Sequence, residues 1–237
     1  MKKSMLFCLA LAATAASLMT LAAPVKSRLA SAETDYIAAL DPLPYDAIAV
    51  EYIESSGTQY LNVGPIIDAD EVVVYCAATE LPTTGNRKAF SIGWNANLRD
   101  DFGIDSTCWE GQSSWLVELG VSVVAKFNLE GIFVNGIKRG GFPSTYFFNA
   151  VNAGKSLFLF CGSNGSTAYI TTGGNYQAWR GTISLVSVSS KGNLLRYLIP
   201  VRFPNELGEW EGAMYDFVSG ELFRNQGTGS FVIGPDL

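Results

Sequence analysis

Histidine is absent from the whole chain, and that absence removes more chemistry than any residue present supplies. Without an imidazole there is no Ser-His-Asp or Cys-His nucleophile, no HExxH-type zinc site and no imidazole general base. Hydrolysis would have to run on carboxylates, on Tyr or Lys, or on a metal held by oxygens. Charge is also scarce: 16% of residues are Asp, Glu, Lys or Arg, the formal balance is -6, and no basic stripe occurs. Nucleic-acid binding, which draws on counterion release to clustered Lys and Arg, therefore has no electrostatic footprint here. No CxxC is present, so zinc-ribbon and thioredoxin-like arrangements are excluded. No amphipathic stretch is long enough for a major helix, and after the amino terminus no apolar run approaches the length of a membrane span.

What is present is hydrophobic. At 48% apolar over 237 residues the chain can bury a sizeable core and fits one large domain or two small ones. Lys2 and Lys3 precede an apolar stretch from Met5 to Leu18, and Ala-rich sequence continues to Ala23. This charged, then apolar, then small layout is that of a secretory signal. Cleavage is expected after Ala23, or as late as Ala32, and loss of Lys2 and Lys3 takes the formal charge from -6 to -8. The alternative, an uncleaved anchor, is weakened by Thr14, Ser17, Thr20 and the alanines. The mature protein is expected outside the cytoplasm, secreted, at the cell surface or in the periplasm, with no membrane span. Residues 24–47, Ala-rich and carrying Pro24, Pro42 and Pro44, read as a linker, and residues 48–237 as the folded domain.

Export leaves Cys76, Cys108 and Cys161, an odd number that permits one disulfide at most. Cys76 closes the run Val72-Val73-Val74-Tyr75 and Cys161 closes Leu157-Phe158-Leu159-Phe160, so both are expected as small buried hydrophobes. Cys108, set among polar residues, is the expected exposed thiol.

Short runs rich in Val, Ile, Phe, Tyr and Thr, punctuated by Gly, Asn, Asp and Ser, give an all-β reading. Ala125, Phe127 and Leu129 alternate with polar residues and predict a strand with one wet face, and Leu195, Tyr197 and Ile199 repeat the pattern. Leu157 to Phe160 is continuously apolar and predicts a central strand. Asn135-Gly136 predicts a type I′ hairpin turn, with Asn164-Gly165 and Gly192-Asn193 as weaker turns. Between Leu185 and Val186 the apolar phase slips, which predicts a bulge or a strand covered on both faces. Many strands over roughly 190 residues favour an antiparallel two-sheet sandwich or jelly roll over a small barrel.

Particular phrases then carry a resemblance. Val50 to Gly64, reading VEYIESSGTQYLNVG, resembles the "EYIESTGTQYIDTG" opening of a bacterial and phage group of concanavalin-A-like, laminin-G-like jelly-roll domains. Gly181-Thr182-Ile183 with Lys191 to Arg196 and Ile199 to Arg202 resembles that group's "GxI … xGxLVRDFVPxR" segment. Met214 to Phe223 with Asn225 to Phe231 resembles "LYDxVNGKFYxNAGTGTF". The likeness spans Val50 to Pro235 at its ends, with Leu81 to Gln177 matched by pattern alone. It implies the fold and leaves activity open, because lectins, adhesion modules, glycanases and lyases share it.

Site chemistry is thin. The ExDxE-type run of the glucanase members is missing, and Glu209-Trp210-Glu211 is a poor catalytic pair in a Gly-flanked segment. Calcium is the cofactor the acids could support, with Asp100, Asp101 and Asp105 as candidate ligands and Asp68-Ala69-Asp70-Glu71 as the second acidic cluster, although neither has a calcium-loop spacing. Leu81 to Gly85 spells a sortase-like LPTTG but sits mid-chain, where it reads as a turn. The better lead is aromatic: Trp94, Trp109, Trp115 and Trp179 have polar neighbours, and an indole face stacks on a pyranose while Asn or Asp takes its hydroxyls. Trp94, Asn95, Asn97, Trp109, Trp115, Tyr176 and Trp179 are therefore the candidate ligand residues, with the loops of Trp94 and Trp179 as the platform. The expectation is a non-catalytic, carbohydrate-binding or adhesion module. A glycan hydrolase or lyase of the same fold and a purely structural partner-binding domain are the alternatives.

Overall fold

The computed structural model describes residues 43–80, 86–95, 98–105, 119–128, 130–140, 149, 151–163, 166–170 and 176–237. The expected signal segment and most of the expected linker lie outside these residues, as do Asn97, Trp109, Trp115, Cys108, the LPTTG segment and Asn164-Gly165. After a 3-10 turn at Pro44–Asp46 come β1 (Ile48–Ala49), β2 (Ile53–Ser56), β3 (Leu61–Pro65), β4 (Glu71–Ala78), β5 (Asn86–Asn95) and β6 (Leu98–Asp105). Then follow β7 (Val123–Asn128), β8 (Gly131–Val134), β9 (Ile137–Gly140), β10 (Ser156–Leu159), β11 (Gly162–Ser163) and β12 (Ala168–Tyr169). The last third holds β13 (Tyr176–Ala178), β14 (Arg180–Ser190), β15 (Asn193–Pro204), β16 (Trp210–Asp216), β17 (Leu222–Arg224) and β18 (Val232–Ile233). No helix among the described residues is long and apolar enough to cross a membrane.

The protein is all-β and its sheets are antiparallel apart from the β13–β5 pair. The larger sheet runs β17-β16-β15-β14-β4-β7-β8-β9 with β1, β2 and β18 attached, and the smaller runs β13-β5-β10-β3 with β6 on β5. One hydrophobic cluster draws on both, with Val72, Val74, Val186 and Leu198 from the first and Leu61, Ile92, Leu157 and Leu159 from the second. Phe90 of β5 meets Phe127 of β7 edge to face with ring centroids 5.0 Å apart, so an aromatic pair ties one sheet to the other. Each such side chain, fully buried, contributes about 1.5–3 kcal/mol of transfer free energy.

Local chemistry explains the elements. β7 alternates buried and half-exposed positions as its period-2 pattern requires, and β10 is central between β5 and β3. Asn135 and Gly136 both have positive φ (50° and 77°) at the β8–β9 turn, the requirement of a type I′ hairpin. The turn joining β14 to β15 centres on Lys191-Gly192, one residue before the predicted dipeptide, with φ of 50° and 79°. The slip in β14 is a bulge between Ile183 and Leu185 against β4, and both Leu185 and Val186 are buried. Cys76 and Cys161 are buried and free, and burial pushes the Cys76 thiol from 9.0 up to about 12 and raises Cys161 further.

Two expectations are corrected. β15 has no continuous wet face, because Tyr197 and Leu198 are both buried. Leu198 faces the shared core, while Tyr197 joins an aromatic group in which Phe217 lies between it and Tyr215. The fold also begins before residue 48: the compact unit starts at Leu43, and Leu43 and Ala47 are buried although composition placed them in the linker.

Between β14 and β15 the larger sheet forks. The two strands pair from Val186 to Ser190 near their turn; farther out β14 pairs with β2 and β15 with β1. β18 pairs with β2, and Val50 bridges Asp236, so both outer segments of the unit fill the fork.

Candidate functional site

The phrases that carry the family resemblance form the skeleton. Gln59 is buried, and its Oε1 accepts hydrogen bonds from the Ser55 hydroxyl at 3.0 Å and the Ser56 amide at 2.9 Å, which closes the Ser55–Gln59 turn. Asn225 Oδ1 accepts from the amides of Tyr60 and Gly227, the Thr58 hydroxyl donates to the Thr228 carbonyl, and the Gln226 amide donates to the Tyr60 carbonyl. A Cβ at Gly227 would overlap the Thr58 carbonyl oxygen, so only glycine permits this approach. The opening and closing phrases are thus two halves of one clasp. Asp216 is fully buried and accepts from the amides of Tyr197 (2.8 Å) and Val218 (3.1 Å), the Ser219 hydroxyl (2.7 Å) and the Arg196 guanidinium (3.3 Å). Four donors answer its desolvation and fix the β16–β17 turn.

The acidic clusters are likewise drawn into structure or spread out. Asp70 accepts the Lys191 amide at 2.7 Å and caps the β14–β15 turn, while Glu71 pairs with Lys126 and accepts from Asn128. Asp101 and Asp105 stand four residues apart on β6, about 13 Å at 3.3 Å per residue, with Asp100 adjacent to Asp101. Among the described residues no group of three His, Cys, Asp or Glu is close enough to hold a metal ion.

The predicted aromatic platform is dispersed. Trp94 and Asn95 end β5 at its turn into β6, in register with Arg99 and Leu98. Tyr176 lies opposite Asn86 at the other end of β5, where Asp105 flanks Asn86 from the β6 side. Eight residues of strand, about 25 Å, separate the Tyr176 and Trp94 positions. Trp179 is 0% exposed. It sits in the shared core beside β5, its amide bonded to the Phe160 carbonyl and the Phe160 amide to that of Ala89. A Cβ on Gly181 would stand 2.5 Å from its indole nitrogen. A ring with no accessible face cannot stack on a sugar, so Trp179 is a core residue here.

Trp210, at the first position of β16, is 44% exposed. Register sets its company: Trp210 faces Pro204 and Gly212 faces Arg202, which brings Arg202 and Trp210 diagonally together on one face of the β15–β16 pair. The Arg202 guanidinium carbon lies 4.2 Å from the indole centroid. Asp236 fixes that guanidinium with two parallel bonds, Nε to Oδ1 at 2.8 Å and Nη2 to Oδ2 at 2.7 Å. The cation over the ring contributes about 0.5–1 kcal/mol at an exposed site, and the bidentate pair with Asp236 holds it in place. One face of the indole is covered and oriented, and the rest lies open.

The turn beside it is equally well held. Asn205 Oδ1 accepts from the amides of Leu207 and Glu209 at 2.9 Å, its amide donates to the Glu209 carbonyl, and its Nδ2 donates to Glu211 at 2.9 Å. Leu207 stands 82% exposed at the tip. Glu211, in register with Phe203, lies on the strand face opposite Trp210, so a ligand on the indole is not over that carboxylate. Sequence reading passed over Trp210 because Glu209 and Glu211 drew attention as a carboxylate pair. The signal that finds it is an Arg eight residues earlier across a short hairpin, which places a cation under the ring.

Comparison of the chain with models of protein families, with curated proteins and with solved structures gives no match.

Proposed function

We propose that this chain is a secreted, non-catalytic binding module built as a concanavalin-A-like two-sheet jelly roll, and that its ligand is carbohydrate held on Trp210. The observation that carries the reading is the half-open indole, backed by Arg202 and locked through Asp236. A flat apolar face that is already oriented loses little entropy when a pyranose ring stacks on it, and the neighbouring polar groups can take its hydroxyls. The fold assignment is supported by one core shared between two antiparallel sheets, and by the clasp in which the resemblance phrases meet. Secretion rests on the Lys2-Lys3 leader and the apolar run behind it.

The test is a soluble-glycan panel titrated against the exported protein by Trp fluorescence, with Trp210→Ala beside it. Stacking on an exposed aromatic is worth about 1–3 kcal/mol by analogy with bases on aromatic platforms, so the variant loses about five- to hundredfold in affinity. Full affinity in Trp210→Ala, or release of reducing ends or unsaturated products by the native protein, overturns the reading.

A further inference from the structure

The smaller sheet has an outer face as well as a core face. Leu157 and Leu159 of β10 point into the shared core, so Phe158 between them points away from it, in register with Ser91 of β5 on one side and Asn62 of β3 on the other. Ser91 and Phe158 are nevertheless buried. Against them lie β11 and β12, which form a two-stranded sheet of their own. The Ser91 hydroxyl donates to the Cys161 carbonyl at 2.9 Å and lies 3.0 Å from the Ser163 hydroxyl. Phe158 and Cys161 form a small apolar cluster with Tyr60, Ala168 and Ile170, separate from the main core.

The chain reaches this position through a turn at Phe160. β6 occupies one edge of β5, while β13 and β10 share the other end to end, at residues 86–88 and 90–92. β10 therefore cannot run on. Phe160 turns it out of the sheet in the left-handed region, with φ 65°, which a bulky side chain adopts only where its surroundings hold it. Those surroundings belong to the core: the Phe160 amide donates to the Ala89 carbonyl, its own carbonyl accepts from the Trp179 amide, and its ring centroid lies 4.9 Å from that of Phe231. Phe160 is a fixed pivot, and Cys161 just beyond it belongs to the outer cluster.

We propose that β11 and β12 are a lid, opening as a unit about Phe160 over the Ser91–Phe158–Asn62 row while the two-sheet core stays intact. A two-stranded sheet is marginal by itself, and this one is held by a small cluster and the contacts at Ser91, so opening it gives up far less than unfolding the shared core. Opening bares a phenyl ring flanked by a hydroxyl and an amide across three strands, and it frees the buried Cys161 thiol. Cys76 supplies the internal standard: it lies in the main core on β4, between β14 and β7, and is reached only when that core breaks.

The experiment treats the exported protein with N-ethylmaleimide in native buffer and in sub-denaturing urea, and follows labelling of each cysteine by peptide mass mapping. Cys161 should react at least about a hundredfold faster than Cys76, at a rate that changes little with urea, whereas the Cys76 rate climbs steeply because its exposure uncovers the whole core. Val186→Ala, which removes core contacts on β14, should speed Cys76 about tenfold and leave Cys161 within about twofold. Ser91→Ala takes an anchor from the closed lid and should speed both by about fivefold, since both routes start from the closed state. The urea dependence of the native protein makes the same distinction without any variant. A Cys161 rate no faster than that of Cys76, or one that climbs with it in urea or in Val186→Ala, overturns the lid, as does an unchanged Cys161 rate in Ser91→Ala.

Discussion

Trp179 and Trp210 occupy opposite situations, and the contrast concerns how a strand hides its residues. Trp179 has Gln177, Ala178 and Arg180 around it and is sealed in the core, while Trp210, between Glu209 and Glu211, stands half in water. Polar neighbours accompany both. In extended backbone the residues at i-1 and i+1 point to the opposite face, so polar neighbours are what a core residue on a one-sided strand has. Neighbour polarity therefore separates loop from strand and does not separate wet from dry. What decides is the partner across the pair: Trp179 is hemmed by Gly181 and the Phe160 segment, whereas Trp210 meets Pro204 and Arg202 at the end of a hairpin.

The sharpest way to break this comparison is Trp179→Ala. Removing a fully buried indole should cost about 3–5 kcal/mol, read as a lower denaturation midpoint; a loss under about 1 kcal/mol would mean that the ring is not in the core. Next comes Gly181→Ala. A Cβ there would overlap the Ala77 carbonyl oxygen and press on the Trp179 indole, so about 1–3 kcal/mol of overpacking cost is expected from thermal melts. Gly136→Val, away from both tryptophans, should cost about 1 kcal/mol, because a β-branched side chain at φ 77° is strained while nothing else lies within reach of the new Cβ. An unchanged midpoint would remove the type I′ assignment. The smallest effect belongs to Trp210→Ala: stability should move by no more than about 1 kcal/mol, the order of the lost cation–π contact, while glycan affinity falls. A Trp210→Ala protein that melts as badly as Trp179→Ala would make the exposed ring a structural element.

Much of the fold was legible for local reasons. Asn135-Gly136, the alternation of β7, the bulge in β14 and the two buried cysteines each depend on residues within a few positions of one another. The non-local features were not. Composition alone cannot show that Leu43 and Ala47 belong to the fold, since their burial depends on strands distant in the chain. The two buried faces of β15 were missed for the same reason: Phe217 and Tyr215, which meet Tyr197, arrive from beyond the next turn. The site fared worst. Trp94 and Tyr176 share a polar setting in sequence yet sit at opposite ends of β5, because β13 runs parallel to that strand and docks at its start. The pairing of Arg202 with Trp210 became visible once strand register was known.

The bridge between Val50 and Asp236 has a mechanical consequence. β2 and β18 are antiparallel, and the chain leaves this pair on both sides at the Val50–Asp236 end. Tension drawn between residue 43 and residue 237 would load these pairs one after another, an unzipping geometry, in place of loading them all at once in shear. Asp236 is first in line, and it is also the clamp on Arg202. Load applied at residue 237 would thus release Asp236 and slacken the guanidinium beneath Trp210 before it reached the core strands.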